Sequence, residues 1–161
     1  MVIGGKHNTK IFPAEKVIEV CKQLARPVVL LGGKEDRERG ELISGAVGTL
    51  VYNTCGLLNI NQSASLIRQA GAVLSNDTGL MHVAAAFKKP VVSVWGNTIP
   101  AFGMYPYLPA ECKSDSLIAE VKGLSCRPCS KLGHQTCPKK HFRCMKEIDL
   151  AEIISFLNKK S

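Results

Sequence analysis

The residues best suited to chemistry lie in one stretch, Ala72 to Gly96, where an apolar run ending at Ser75 meets Asn76-Asp77-Thr78-Gly79, then LMHVAAAFKK, then PVVSVWG. Its periodicity predicts a short buried strand, a polar turn, a helix of two to three turns and a second buried strand, a compact βαβ unit. Asp77 and Thr78 both suit a helix N-cap, and Gly79 lets a ligand approach the backbone. The helix behind them directs unpaired N–H groups and its positive dipole end into the crevice. Such a corner takes an anion, and a phosphate suits it. The same four residues also serve as a plain capping turn that binds nothing, and local sequence leaves both readings open.

Two further groups accompany the turn. The loop before the first helix carries Lys6 and Lys10, each a phosphate contact or a solvated surface lysine. Glu35 and Asp36 follow the run Pro27 to Gly33, where a carboxylate accepts ribose hydroxyls in open α/β sheets or complements the dipole of the next helix.

The elements that must position these groups alternate. Val2 to Gly5 reads as a strand tail running into a loop, and a chain starting there is expected to have lost something upstream. Pro13 opens a helix over Ala14 to Leu24, with Val17, Ile18, Cys21 and Leu24 as its buried stripe. Pro27 to Gly33 is a continuously apolar strand, as in a parallel sheet covered on both faces. A polar helix to about Val47, a strand at Leu50 to Asn53 and a helix capped by Asn61 or Ser63 and stopped at Gly71 lead into the central unit. Asn97 to Pro109 is an ordered loop at the carboxyl edge of the sheet, Leu117 to Val121 a last strand, and Ile148 to Lys159 a closing helix capped by Asp149. The fold class is α/β, a doubly wound parallel sheet in one domain.

With 161 residues, 45% hydrophobic and 21% charged, the chain has the composition of a soluble globular domain. No apolar run is long enough to span a membrane and the amino terminus lacks signal-peptide character, so a cytoplasmic location is expected. Lysine and arginine exceed acidic residues by 21 to 13, a formal charge of +8. Lys122, Arg127, Lys131, Lys139, Lys140, Arg143 and Lys146 crowd one region. That surface suits nucleic acid, anionic headgroups or a phosphorylated substrate, or is merely a solvated face. Seven cysteines, an odd count, argue for reduced thiols. Cys126, Cys129, Cys137 and Cys144 follow the spacing C-x2-C-x7-C-x6-C, which admits a structural zinc knuckle, buried free thiols or disulfide pairing. Cys21, Cys55 and Cys112 read as core fillers.

Taken together, SNDTGLMHVAAAFKKPVVSVWGNTIP, PVVLLGGKED, the Lys-x-x-Pro of Lys10 to Pro13 and the ending CRPC…C…CM resemble the carboxyl-terminal half of glycosyltransferase family 9, the lipopolysaccharide heptosyltransferase family. The resemblance covers essentially every residue and implies one Rossmann-like lobe of a GT-B enzyme, residues 1–161 being the nucleotide-sugar (donor) lobe. The acceptor lobe, which supplies the catalytic base in such enzymes, is absent, so no catalytic residue is expected here and the isolated chain is expected to be inactive. By position, Asp77, Thr78 and Gly79 would meet the donor phosphates and sugar, with the Asp77 carboxylate on sugar hydroxyls or capping the helix. Lys10 would balance the leaving diphosphate and Glu35 would hold the ribose. His82 would reach the phosphate, orient Asp77 or simply pack inside the lobe; Thr98, in the Gly-x-Thr turn, is a further pocket residue.

The implied donor is ADP-heptose or a related nucleotide-sugar and the implied acceptor a lipopolysaccharide core, with no catalytic metal. The implied partners are the missing lobe and, through the basic face, the inner-membrane surface; nucleic acid is not expected. The alternatives are a basic four-cysteine zinc-knuckle module that binds nucleic acid and a non-catalytic phosphate-binding Rossmann-like domain.

Overall fold

A computed structural model describes residues 1–160. Five strands pair in parallel: β1 (Val28–Leu30) with β2 (Val51–Asn53), and β4 (Val91–Trp95) with both β3 (Val73–Asn76) and β5 (Ser116–Glu120). The two groups are joined by the amino-terminal segment, in which Val2 bridges Leu31 on one side and Ser75 on the other. Val2 donates its N–H to Leu74 O, Ile3 donates to Leu31 O, and Leu31 donates back to Met1 O. The array therefore runs β2, β1, amino-terminal segment, β3, β4, β5. This is the doubly wound order with its switch point between the amino-terminal segment and β3, and ligands of open α/β sheets bind outside the carboxyl ends of strands at such a point.

Strand side chains alternate between two cores, as a pleated ribbon requires. Leu30, Leu74, Val92 and Val94 face α1 (Ala14–Leu24), α2 (Arg37–Val47) and α6 (Leu150–Lys160), packing on Val17, Val20, Ile43, Ile153 and Leu157. Leu31, Val73, Val91 and Trp95 face α3 (Ile60–Gln69) and α4 (Gly79–Ala86), packing on Ile67, Met81, Ala84 and Ala85. The expected helices on both faces are present. The central strands β3 and β4 are buried along their whole length, which is why their sequence lacks polar alternation, the buried Ser75, Asn76 and Ser93 being their only polar residues.

Several boundaries differ from the sequence reading, β1 being confined to Val28–Leu30 within the expected Pro27 to Gly33 run. The cap of α3 is Asn59, not Asn61 or Ser63: Asn59 Oδ1 accepts from Gln62 N and Gln62 Oε1 accepts from Asn59 N, a reciprocal capping box. β5 covers Ser116–Glu120, because register with β4 pairs Val91 with Ser116. A 3-10 turn, Lys34–Asp36, precedes α2. The expected cap of α6 is present, Ala151 N donating to Asp149 Oδ1 at 2.9 Å.

Candidate functional site

At the switch point the backbone is sewn together by Asn76, the last residue of β3. Its Nδ2 donates to Gly4 O at 3.0 Å and its Oδ1 accepts from Phe12 N at 3.0 Å, all in buried surroundings. Asn76 thus ties the end of the amino-terminal segment to the far end of the following loop, whose Ile11 and Phe12 are buried. Within that loop Asn8–Lys10 form a 3-10 turn. Thr9 is fixed from outside: its N–H and hydroxyl both lie against His134 O, and its Oγ1 accepts from His134 N.

The turn delivers Lys10 to Asp77. Nζ lies 2.6 Å from Asp77 Oδ2, with the two side chains 16% and 8% exposed. The same oxygen accepts a hydrogen bond from Thr98 Oγ1 at 3.0 Å. Lys10, Asp77 and Thr98, far apart in sequence, therefore converge on one atom. The Asp77 carboxylate does not cap α4, since both of its described contacts are to Lys10 and Thr98. Thr78 occupies the N-cap position without a side-chain capping bond, its hydroxyl lying 3.4 Å from Ser75 Oγ. Gly79 is exposed, and a Cβ there would meet nothing within 4 Å, so the mouth of α4 opens on free space.

Two other sequence candidates stand apart from this cluster. His82 lies on the exposed side of α4. Glu35 is exposed in the turn after β1, folded back over Gly33. Its neighbour Asp36 is buried: Oδ2 accepts from Gly33 N at 2.9 Å and Oδ1 pairs with Arg39 Nη1 at 2.8 Å. Asp36 also packs against Gly4, where a Cβ would collide with its carboxylate, so this acid shapes the sheet edge.

Sequence reasoning missed Arg127, counted there among surface cations. Its side chain is only 6% exposed. The guanidinium donates to Gly96 O at 2.5 Å, Val121 O at 2.6 Å, Thr98 O at 3.0 Å and Glu120 Oε2 at 2.9 Å. Cys129 N adds a bond to Asn97 O at 2.9 Å. The cysteine-bearing segment thereby grips both walls of the corner, Gly96 to Thr98 through Arg127 and Thr9 through His134. Gly96 is required by this approach: a Cβ would sit 2.7 Å from Thr9 O and from Met145 Cε. Asn97, also overlooked, is 1% exposed, with neither of its side-chain polar atoms hydrogen-bonded. The only signal for either residue was its place beside a motif.

All seven cysteines are free, and among the described residues no three His, Cys, Asp or Glu side chains are gathered as metal ligands would be. The disulfide alternative is thereby set aside. Burial first, then the neighbouring Cys129, raises the Cys144 thiol to about 11; burial, then Cys126 and Cys137, raises that of Cys129. An apolar cavity of about 310 Å³ lies at the opposite, amino edge of the sheet, with Leu24, Val29, Leu66 and Val73 in its wall. It is remote from the polar corner. Among the described residues no helix is long and apolar enough to cross a membrane.

Comparison with known proteins gives a consistent picture. The lipopolysaccharide heptosyltransferase 2 of Escherichia coli K12 is 37% identical over 100 residues, 58% of this chain and 29% of that protein. The solved structure of the E. coli ADP-heptose LPS heptosyltransferase II superposes with a TM-score of 0.74 at 25% identity, covering 98% of this chain and 44% of its own. A family 9 glycosyl transferase from Veillonella parvula shares the fold, with a TM-score of 0.73 at 20% identity over 100% of this chain and 46% of that one. The chain thus spans less than half the length of these proteins. The model of glycosyltransferase family 9 (heptosyltransferase) matches residues 2–134, and the chain belongs to that family.

Proposed function

We propose that residues 1–161 form the donor lobe of a heptosyltransferase that moves heptose from ADP-heptose to a lipopolysaccharide core acceptor. The observation that carries this reading is the convergence of Lys10, Asp77 and Thr98 beside the open amino end of α4 at the switch point. Transfer of a glycosyl group develops negative charge on the departing diphosphate, and groups fixed to meet that charge lower the barrier. The α4 N–H groups at Thr78 and Gly79 and the Lys10 ammonium supply that field. Asp77 holds Lys10 in place before the donor arrives and then accepts hydrogen bonds from sugar hydroxyls. Glu35, at the same edge, meets the ribose, and His82 lies one turn along α4 from the phosphates. The catalytic base and the acceptor pocket belong to a second lobe that completes the enzyme, working in the cytoplasm with its basic face toward the inner-membrane surface.

Isothermal titration with ADP, ADP-heptose and AMP tests the reading. Micromolar binding of the two diphosphates, weaker binding of AMP and a loss of roughly tenfold or more in Lys10→Ala are expected. Equal affinity for AMP and ADP, or no response to either, overturns it.

A further inference from the structure

Four acceptors surround one nearly buried guanidinium, and two of them, the carbonyls of Gly96 and Thr98, flank the turn that presents the Thr98 hydroxyl to Asp77. The third, Val121 O, and the Glu120 carboxylate fix the same guanidinium to the end of β5. Three of the four contacts are to neutral carbonyls, so the charge of Arg127 is matched by Glu120 alone and the arrangement reads as a geometric clamp. A planar fork with five donors spans these acceptors at once; a lysine ammonium on a flexible stem does not. The turn is otherwise lightly held from this side, by Cys129 N on Asn97 O, while the Asn97 side chain contributes no hydrogen bond.

We propose that Arg127 is a positioning residue for the anion corner, acting through Thr98 on Asp77 and through Asp77 on Lys10. The chain of contacts runs Arg127 to the Gly96 and Thr98 carbonyls, Thr98 Oγ1 to Asp77 Oδ2, and Asp77 Oδ2 to Lys10 Nζ. Arg127 touches none of the charged or backbone groups assigned to the donor, so its effect travels entirely through the turn. The role as a determinant of ADP affinity rests on the donor-lobe reading above; the structural relay does not.

The test is a double-mutant cycle on the full chain with R127K and T98V, with R127Q as the alternative should R127K not fold. Each single variant is expected to weaken ADP binding by roughly five- to tenfold, and R127K in the T98V background by no more than about twofold further. A residue that merely stabilises the fold would instead lower Tm and add its full factor in both backgrounds, and that result overturns the proposal. The Asp77 ¹³Cγ and Lys10 ¹³Cε signals of the ligand-free chain give a second readout. R127K moves both in the direction that T98V moves them; unchanged signals overturn the relay. Absence of ADP binding by the unsubstituted chain removes the donor reading and leaves Arg127 to be judged by these signals alone.

Discussion

Lys10 Nζ and Asp77 Oδ2 sit 2.6 Å apart although three α-helices and three strands lie between them in sequence. Both side chains are largely withdrawn from water, so removing one leaves the other as an uncompensated charge. Lys10→Met and Asp77→Asn are each expected to cost about 2–3 kcal/mol in urea unfolding, below the roughly 3–5 of a fully buried pair because Lys10 retains some exposure. The double variant costs less than the sum of the two. Additive losses would show that the pair is not coupled.

Asn76 joins Gly4 to Phe12 through both ends of its carboxamide. Asn76→Ala leaves a buried carbonyl and a buried N–H without partners, at a cost of about 2–4 kcal/mol. The loop carrying Lys10 loses its far anchor at the same time. Hydrogen exchange of the Phe12 amide is therefore expected to accelerate by more than the global loss of stability explains.

The pH dependence of stability has an alkaline limb set by buried thiols. Burial, ahead of any neighbouring charge, raises Cys21, Cys55 and Cys144 from 9.0 to about 11. The folded state holds these protons more tightly than the unfolded state, so this stability is full below pH 9 and is lost as pH rises through 11. Urea titrations should therefore show stability falling from pH 9 upward, and Cys144→Ala should make that fall shallower; an unchanged slope would assign the alkaline limb to other groups.

Gly4 lies where a Cβ would collide with the Asp36 carboxylate, which is pinned by Gly33 N and Arg39. Gly4→Ala is expected to destabilise by about 1–3 kcal/mol in thermal or urea unfolding, as overpacking against fixed atoms does. Gly79→Ala, with open space around its Cβ, should cost nothing and gain a few tenths of a kcal/mol from helix propensity. Equal effects of the two substitutions would contradict the packing at Gly4.

Much of the fold was legible because its signals are local. The stripe of Val17, Cys21 and Leu24 and the stop after Leu24 place α1 at the expected residues, and the mainly apolar runs at β3 and β4 mark strands buried on both faces. The cap of α3 was legible too, as Asn59 three residues ahead of Gln62, but Asn61 and Ser63 compete for the same role in a polar stretch. At the corner, Lys10, Asp77 and Thr98 were named from motif positions, yet their meeting on one oxygen depends on three separate chain crossings. Arg127 and Asn76 were illegible for the same reason: the bonds that tie them to the corner run to backbone groups of distant segments, Gly96 and Thr98 for one and Gly4 and Phe12 for the other, which no periodicity encodes. Asp36 and Glu35 are neighbours of one chemical type, and only the turn geometry decides which is buried.

The slender ribbon from Met1 to Ile3 is the seam between two half-sheets, and it continues directly into the loop that bears Lys10. Unzipping it would part the molecule along its middle and carry the lysine away from its carboxylate in the same event. The amides of Val2, Ile3 and Leu31 should accordingly exchange as one cooperative group. Whatever anion seats itself at the mouth of α4 would slow all three together, making a distant backbone zipper the gauge of occupancy.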